Sequence, residues 1–236
     1  MSQLFHSIIS NKPIIDRNFV LSNYGVWLIE NWQDRTFRLS ILGYRNNLEK
    51  FLNKIDHNVV FLDIGANQGV FTLVAAKNDF IKQIHCFEPN LEIAALLRMN
   101  LDFAGVLNCN LHRVAISNQE GNVSFSFSDE HSGTGHIADF ETGVKVKSVN
   151  FHYLNEVFAD LAYPIIIKID VEGFEKQVLL ELFKSSLYKN ITHIFIEMNQ
   201  GYGQVETVDR ILQESGFREL WRKGSQKSYD ALYANP

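Results

Sequence analysis

At 236 residues the chain is long enough for one well-buried domain and short for two. A hydrophobic content of 46% beside 21% charged residues is ordinary for a globular protein, and a net charge of −5 gives no reason to expect a nucleic-acid partner. Two cysteines, Cys86 and Cys109, supply neither a disulfide framework nor zinc-ligand spacing, and no apolar run approaches the roughly 20 residues of a membrane span. The start of the chain lacks a basic region followed by a sustained apolar core, so a cytoplasmic location is the expectation.

Residues 1–56 read as an N-terminal extension. Tyr24–Glu30 and Phe37–Leu42 are expected to be strands joined through Asn31–Arg35 into a β-hairpin, since Phe37, Leu39 and Ile41 alternate with polar Arg38 and Ser40. A helix is expected near 46–54. Such an extension can cover a site, form a contact between subunits of a homo-oligomer, or simply pack at the edge of the core.

From residue 57 to 236 strand and helix patterns alternate, which predicts one α/β unit with right-handed crossovers. Val59–Leu62 is a continuous apolar run, as in a strand buried on both faces. It leads through Asp63 into the turn Gly65-Ala66-Asn67-Gln68-Gly69 and the helix-like Val70–Lys77. A glycine-bearing turn from a buried strand into a helix lets backbone approach a nucleotide-like ligand closely. Glu88 ends the next strand, about 20 residues beyond the turn, where an acid is expected to meet ribose hydroxyls.

The dinucleotide fingerprint requires Gly-x-Gly-x-x-Gly, and position 67 is Asn. Asp63 just before the turn would repel a pyrophosphate and attract the ammonium or sulfonium end of S-adenosylmethionine; capping the helix is its simpler use. Asp63, Gly65, Asn67, Gly69 and Glu88 are therefore the candidate cofactor residues.

Asn90 is the expected N-cap of the following helix, and Leu111–Ile116 the next strand, its end beside the adenine. An insertion at 122–149 has two alternating stretches, Val123–Phe127 and Val144–Lys147, around a polar loop at 129–136 that could serve as a substrate flap. Pro164–Asp170 is the second buried strand, running into Val171-Glu172-Gly173-Phe174-Glu175 and a helix. Lys168, Asp170, Glu172 and Glu175 crowd one turn at the sheet edge where ligands of open α/β sheets bind. Glu172 and Glu175, as acids in the first turn of a helix, equally suit its dipole, which leaves Asp170 the stronger candidate. Thr192–Glu197 repeats the plan, with Asn199 beyond it. The chain closes with a hairpin of Phe217–Arg222 and Tyr229–Ala234, so the last strand is antiparallel to its neighbour.

These segments resemble the FkbM family of S-adenosylmethionine-dependent methyltransferases. The resemblance is carried by Asp63-Ile64-Gly65-Ala66-Asn67-Gln68-Gly69, Phe87-Glu88-Pro89, Val114-Ala115-Ile116-Ser117 and Lys168-Ile169-Asp170-Val171-Glu172-Gly173-Phe174-Glu175. It implies a class I, Rossmann-like fold with a mostly parallel seven-stranded sheet and an antiparallel C-terminal hairpin. It also implies O-methylation of a hydroxyl on a sugar, a glycan or glycolipid, or a secondary metabolite. On that resemblance Gly65 and Gly69 line the methionine and ribose portion of the cofactor, Glu88 holds the ribose, Ala115 lies near the adenine, and Asp170 and Glu172 stand at the transfer site. Asn150 departs from the family, which has an acid there.

An alcohol must lose its proton as it attacks the methyl carbon. Asp170 is the first candidate base, followed by Glu172, Glu197 and His152. Asp170, Glu197 and Asn199 could also gather around a hard ion, although no metal is assigned. Two rivals stay open: an NAD-dependent oxidoreductase, which lacks its third glycine here, and a non-catalytic binding module, in which acids at the strand ends would not be expected.

Overall fold

The computed structural model describes residues 18–44, 46–128, 131–137 and 144–235. The chain start, where a leader was not expected, and Asp129 and Glu130 of the expected loop lie outside these residues. The central feature is a seven-stranded sheet. Its strands are β3 (Val59–Ile64), β4 (Ile81–Phe87), β5 (Cys109–His112), β10 (Ile165–Ile169), β11 (Ile191–Asn199), β12 (Arg218–Gly224) and β13 (Ser228–Ala234). They lie in the order β12-β13-β11-β10-β3-β4-β5. Neighbours from β5 to β11 pair in parallel, whereas β13 runs antiparallel to both β11 and β12. The expected mostly parallel sheet with its antiparallel final hairpin is present.

Every residue of β3 is buried. Val60, Leu62 and Ile64 enter the apolar core on one face, together with α5 (Phe151–Val157), α6 (Glu175–Lys184) and α7 (Val205–Glu214). Val59 and Phe61 enter the core on the other, against α3 (Val70–Ala76) and α4 (Leu91–Phe103). Period-two alternation between two cores is why the strand reads as an unbroken apolar run. Asn90 caps α4 as expected, accepting hydrogen bonds from the Glu92 and Ile93 amides. Asn150, the departure from the family, does the same for α5 through the His152 amide, which an acid would do equally well.

The N-terminal reading is corrected. A hairpin is present, but it joins β1 (Phe19–Leu21) to β2 (Trp27–Ile29), and Phe37–Leu42 belongs to a helix, α1 (Arg35–Leu42). Asp34 accepts a hydrogen bond from the Phe37 amide at the start of α1, and Gly43, at φ 68°, closes its end. Those two boundary signals outweigh the alternation, because Phe37 and Ile41 are also one helical turn apart. A short helix, α2 (Asn47–Leu52), follows where one was expected. Leu28, Phe37, Leu48 and Leu52 are fully covered and share the core that holds Val59 and Phe61.

Leu111–Ile116 is not one strand. The chain leaves the main sheet after His112, and β6 (Ala115–Ile116) pairs instead with β9 (Val144–Val149). Two further strands belong to this second sheet: β7 (Gly121–Ser128), and β8 (His131–Ile137) where a loop was expected. The order is β6-β9-β7-β8. Val123, Phe125 and Val146 form a small separate core beneath this insertion.

Candidate active site

The turn after β3 is held by backbone geometry that side chains would obstruct. Gly65 and Gly69 have φ of 80° and 86°; a Cβ on Gly65 would stand 1.8 Å from the Asp170 carbonyl oxygen, and one on Gly69 2.1 Å from Leu97 Cδ1. Gly65 thus lets β3 and β10 close at their C-terminal ends. The amides of Gly65 and Ala66 both donate to the Phe87 carbonyl at 3.0 Å.

Beneath the turn lies a buried ionic knot. Lys168 Nζ donates to the Gly65 carbonyl at 2.7 Å and stands 3.1 Å from Asp63 and 3.5 Å from Asp170. Thr72 Oγ1 donates to the other Asp63 oxygen at 2.7 Å. Burial alone would lower the Lys168 pKa, but the two carboxylates outweigh it and hold the ammonium protonated. Asp63 is fully covered and is absent from the lining of the cavity above. Its charge is taken up by Lys168, a partner 105 residues away that the strand pairing of Asp63 with Lys168 brings alongside.

Above the turn opens a cavity of about 400 Å³, of the size that takes a nucleoside-like ligand. Of the residues expected from sequence, Gly65, Asn67, Glu88, Asp170, Glu172 and Glu197 line it together; Asp63, Gly69 and Ala115 do not. Gly69 is the residue preceding α3 and packs on Leu97, while Ala115 packs against the small core of the insertion. His152 sits in the first turn of α5 and is likewise outside the lining.

Glu88 accepts hydrogen bonds from the Asn67 and Asn90 amides, each at 2.9 Å. Burial pushes its carboxyl up to about 7, against the pull of these two amide donors. Asn67 has φ 51° and also bonds Ser132 of β8 through its side chain at 2.9 Å. The Ser132 amide in turn donates to Asp34, the cap of α1, at 3.1 Å. The insertion is therefore tied both to the glycine turn and to the N-terminal helix.

Glu172 has φ 49°, a left-handed conformation that costs a non-glycine residue about 1 kcal/mol or more. It accepts a 2.7 Å hydrogen bond from the Tyr202 hydroxyl, and the Tyr202 ring packs over Gly173. Burial, followed by the nearby Asp170 charge, pushes the Glu172 carboxyl up to about 7; the Tyr202 bond opposes both. Glu175 accepts instead from the Gly173 amide and braces the turn from outside the cavity. Tyr202 follows β11, just beyond Asn199-Gln200-Gly201, and no local pattern in the sequence marks it. Tyr24, Arg35, Thr36, Ser40 and Tyr44 also line the cavity, and no local pattern in the sequence marks them. Among the described residues no group of three or more His, Cys, Asp or Glu could hold a metal ion, and no helix is long and apolar enough to cross a membrane.

Comparison with known proteins fits this geometry. The chain is similar to the hexuronic acid methyltransferase AglP of Haloferax volcanii, 24% identical over 186 residues that cover 79% of this chain and 73% of that protein. Trm5b of Pyrococcus abyssi superposes with a TM-score of 0.53 at 12% identity, over 94% of this chain and 56% of that one, so this chain spans just over half its length. TrmK of M. capricolum, in complex with S-adenosylhomocysteine, gives a TM-score of 0.47 at 12% identity over 82% and 68% of the two chains. The fold is the Rossmann-like fold of class I methyltransferases. The sequence model of the methyltransferase FkbM domain matches residues 63–219, from the buried acid of β3 to the start of β12, and the chain belongs to the FkbM methyltransferase family.

Proposed function

We propose that this methyltransferase takes its methyl group from S-adenosylmethionine and delivers it to a hydroxyl of a sugar, a sugar-bearing molecule or a secondary metabolite. The observation that carries the reading is the convergence of Gly65, Asn67 and Glu88 with Asp170, Glu172 and Glu197 in one cavity. The residues fit such a cofactor: a backbone turn without side-chain bulk, a buried carboxylate suited to ribose hydroxyls, and room for the ligand. The similarity to a hexuronic acid methyltransferase supports a sugar acceptor.

S-adenosylmethionine, when bound, supplies an electrophilic methyl carbon. The protein's task is then alignment and proton removal. Glu88, fixed by two amides, presents its remaining lone pairs to the cofactor's hydroxyls. Asp170 and Glu172 stand at the end of β10, where a carboxylate can take the proton from an attacking alcohol. The close approach of the 170–175 turn to Gly65 sets these acids beside the cofactor turn.

Calorimetric titration with S-adenosylhomocysteine, with NAD for comparison, tests the cofactor. Micromolar binding of the former with no response to NAD is expected, and Glu88→Gln should weaken it roughly ten- to a hundredfold, the worth of a lost charged hydrogen bond. Binding of NAD but not S-adenosylhomocysteine would sink the reading.

A further inference from the structure

The family match begins at residue 63, yet residues well before it build part of the cavity: Tyr24, Arg35, Thr36, Leu39, Ser40 and Tyr44. Four of these lie on α1 at positions 35, 36, 39 and 40, two pairs one helical turn apart, and so form a single helix face. Phe37 points the other way and is buried in the core. The face presented to the cavity is thus an arginine, two hydroxyls and a leucine.

Arg35 is the one cation among the described lining residues, beside four carboxylates: Glu88, Asp170, Glu172 and Glu197. A cation placed only to neutralise such a site would pair with one of them. Among the described residues the Arg35 guanidinium makes no hydrogen bond and no ion pair. Its neighbour Arg38, by contrast, spends its guanidinium on the Trp32 and Gln33 carbonyls, at 2.6 and 3.0 Å. All four carboxylates have partners of their own: Glu88 holds two amides, Asp170 faces Lys168, Glu172 holds Tyr202, and Glu197 is engaged as well. An exposed, unpaired guanidinium in a cavity wall is a fork of donors matched to a planar or tetrahedral anion.

We propose that Arg35, with the Thr36 and Ser40 hydroxyls on the same face of α1, binds an anionic group, carboxylate or phosphate, carried by the methyl acceptor. The proposal rests on the methyltransferase reading above and narrows its acceptor to an anionic sugar derivative. The four carboxylates repel the same group, so it is driven to the α1 wall, while the neutral hydroxyl end is free to approach Asp170 and Glu172. A segment outside the family domain would in this way choose and orient the acceptor.

The test uses the whole chain saturated with S-adenosylhomocysteine at low ionic strength. Methyl glucoside, its uronic acid and its 6-phosphate are titrated and followed by saturation-transfer NMR and calorimetry. At least one anionic probe should bind tenfold or more tighter than the neutral sugar, and the better of the two identifies the group. Arg35→Gln should erase that preference, and Arg35→Glu should reverse it. Thermal unfolding of both variants at the wild-type temperature would show that they are folded. Equal binding of all three sugars, no binding of any, or a preference that survives in Arg35→Gln overturns the proposal. The S-adenosylhomocysteine titration separates the two possible failures. Cofactor binding without an anionic preference removes the Arg35 site alone, whereas no cofactor binding in the wild type removes the methyltransferase reading on which it rests.

Discussion

Glu172 and Tyr202 show how one hydrogen bond can tune a site. The carboxylate lies between opposing influences, burial and Asp170 favouring the protonated form and the Tyr202 hydroxyl favouring the ionised one, with the balance at about 7. A base acts only when ionised, so methyl transfer dependent on Glu172 falls as pH drops through 7, by up to about tenfold per unit. Tyr202→Phe removes the bond that stabilises the ionised form and should move this midpoint upward. A pH–rate profile of kcat checks it. A purely structural role for Tyr202 would lower the rate at every pH and leave the midpoint in place. Asp63 teaches the opposite lesson. Its sequence context suggested attraction to a cationic ligand, but the β3–β10 register sets it against Lys168, and the charge is spent inside the protein.

At the scale of elements, Asp34 is the joint between three of them. The residue is 2% exposed, and its carboxylate accepts from the Phe37 amide at 3.0 Å and the Ser132 amide at 3.1 Å, tying the start of α1 to β8. Ser132 passes the connection to Asn67 in the glycine turn. Asp34→Ala should cost about 1–2 kcal/mol, the usual worth of a helix cap. Hydrogen exchange should show faster exchange at the Phe37 and Ser132 amides, with Ile64 in the central strand unchanged. Equal acceleration in all three would mean that the joint stabilises the molecule globally and does not hold the insertion locally. α1 lines the cavity and β8 lends it Ser132, so this joint fixes the position of that wall.

On the scale of the whole molecule, a histidine pair on β4 and β5, His85 buried and His112 half-buried, contributes to the response to acid. His85 and His112 share a 3.0 Å hydrogen bond, and His112 continues to the Tyr153 hydroxyl of α5 at 2.8 Å. Burial pushes both imidazoles down to about 4, and for His85 the charge of His112 adds to it. A folded-state pKa below the ordinary 6.5 means the unfolded chain binds protons first. The stability these groups contribute is complete above about 6.5 and is lost as pH falls toward 4. The pair should therefore contribute a loss of roughly 2–4 kcal/mol between about pH 7.5 and pH 4.5, opposed over the same range by Glu88 and Glu172, whose carboxyls are pushed up to about 7 and so take up protons first in the folded chain. Urea unfolding of the wild type and of His85→Phe with His112→Phe at both pH values isolates the pair: acidification should cost the variant roughly 2–4 kcal/mol less than the wild type, and an identical change in both would assign the acid sensitivity to other groups.

Much of this molecule is legible in its amino-acid order. The runs Val59–Leu62 and Ile165–Ile169, the glycine turn, Glu88, and the Asp170–Glu175 turn are contiguous or regularly spaced, and local geometry reads directly from such patterns. The caps Asn90 and Asn150 act on amides two or three residues away, within reach of sequence reasoning. The α1 segment fails that test because alternation over six residues fits a strand and a helical turn alike, and its caps decide the matter. The sequence by itself thus determined the α/β fold, the glycine turn after β3 and the acids at the strand ends, since each is written within one short segment. Only the tertiary structure decided that Asp63 faces Lys168 and not the cavity, that Tyr202 holds Glu172, and that α1 brings Arg35 into the site. Those pairings join residues tens to more than a hundred positions apart, and the register of strands and the packing of helices fix them, not any local pattern.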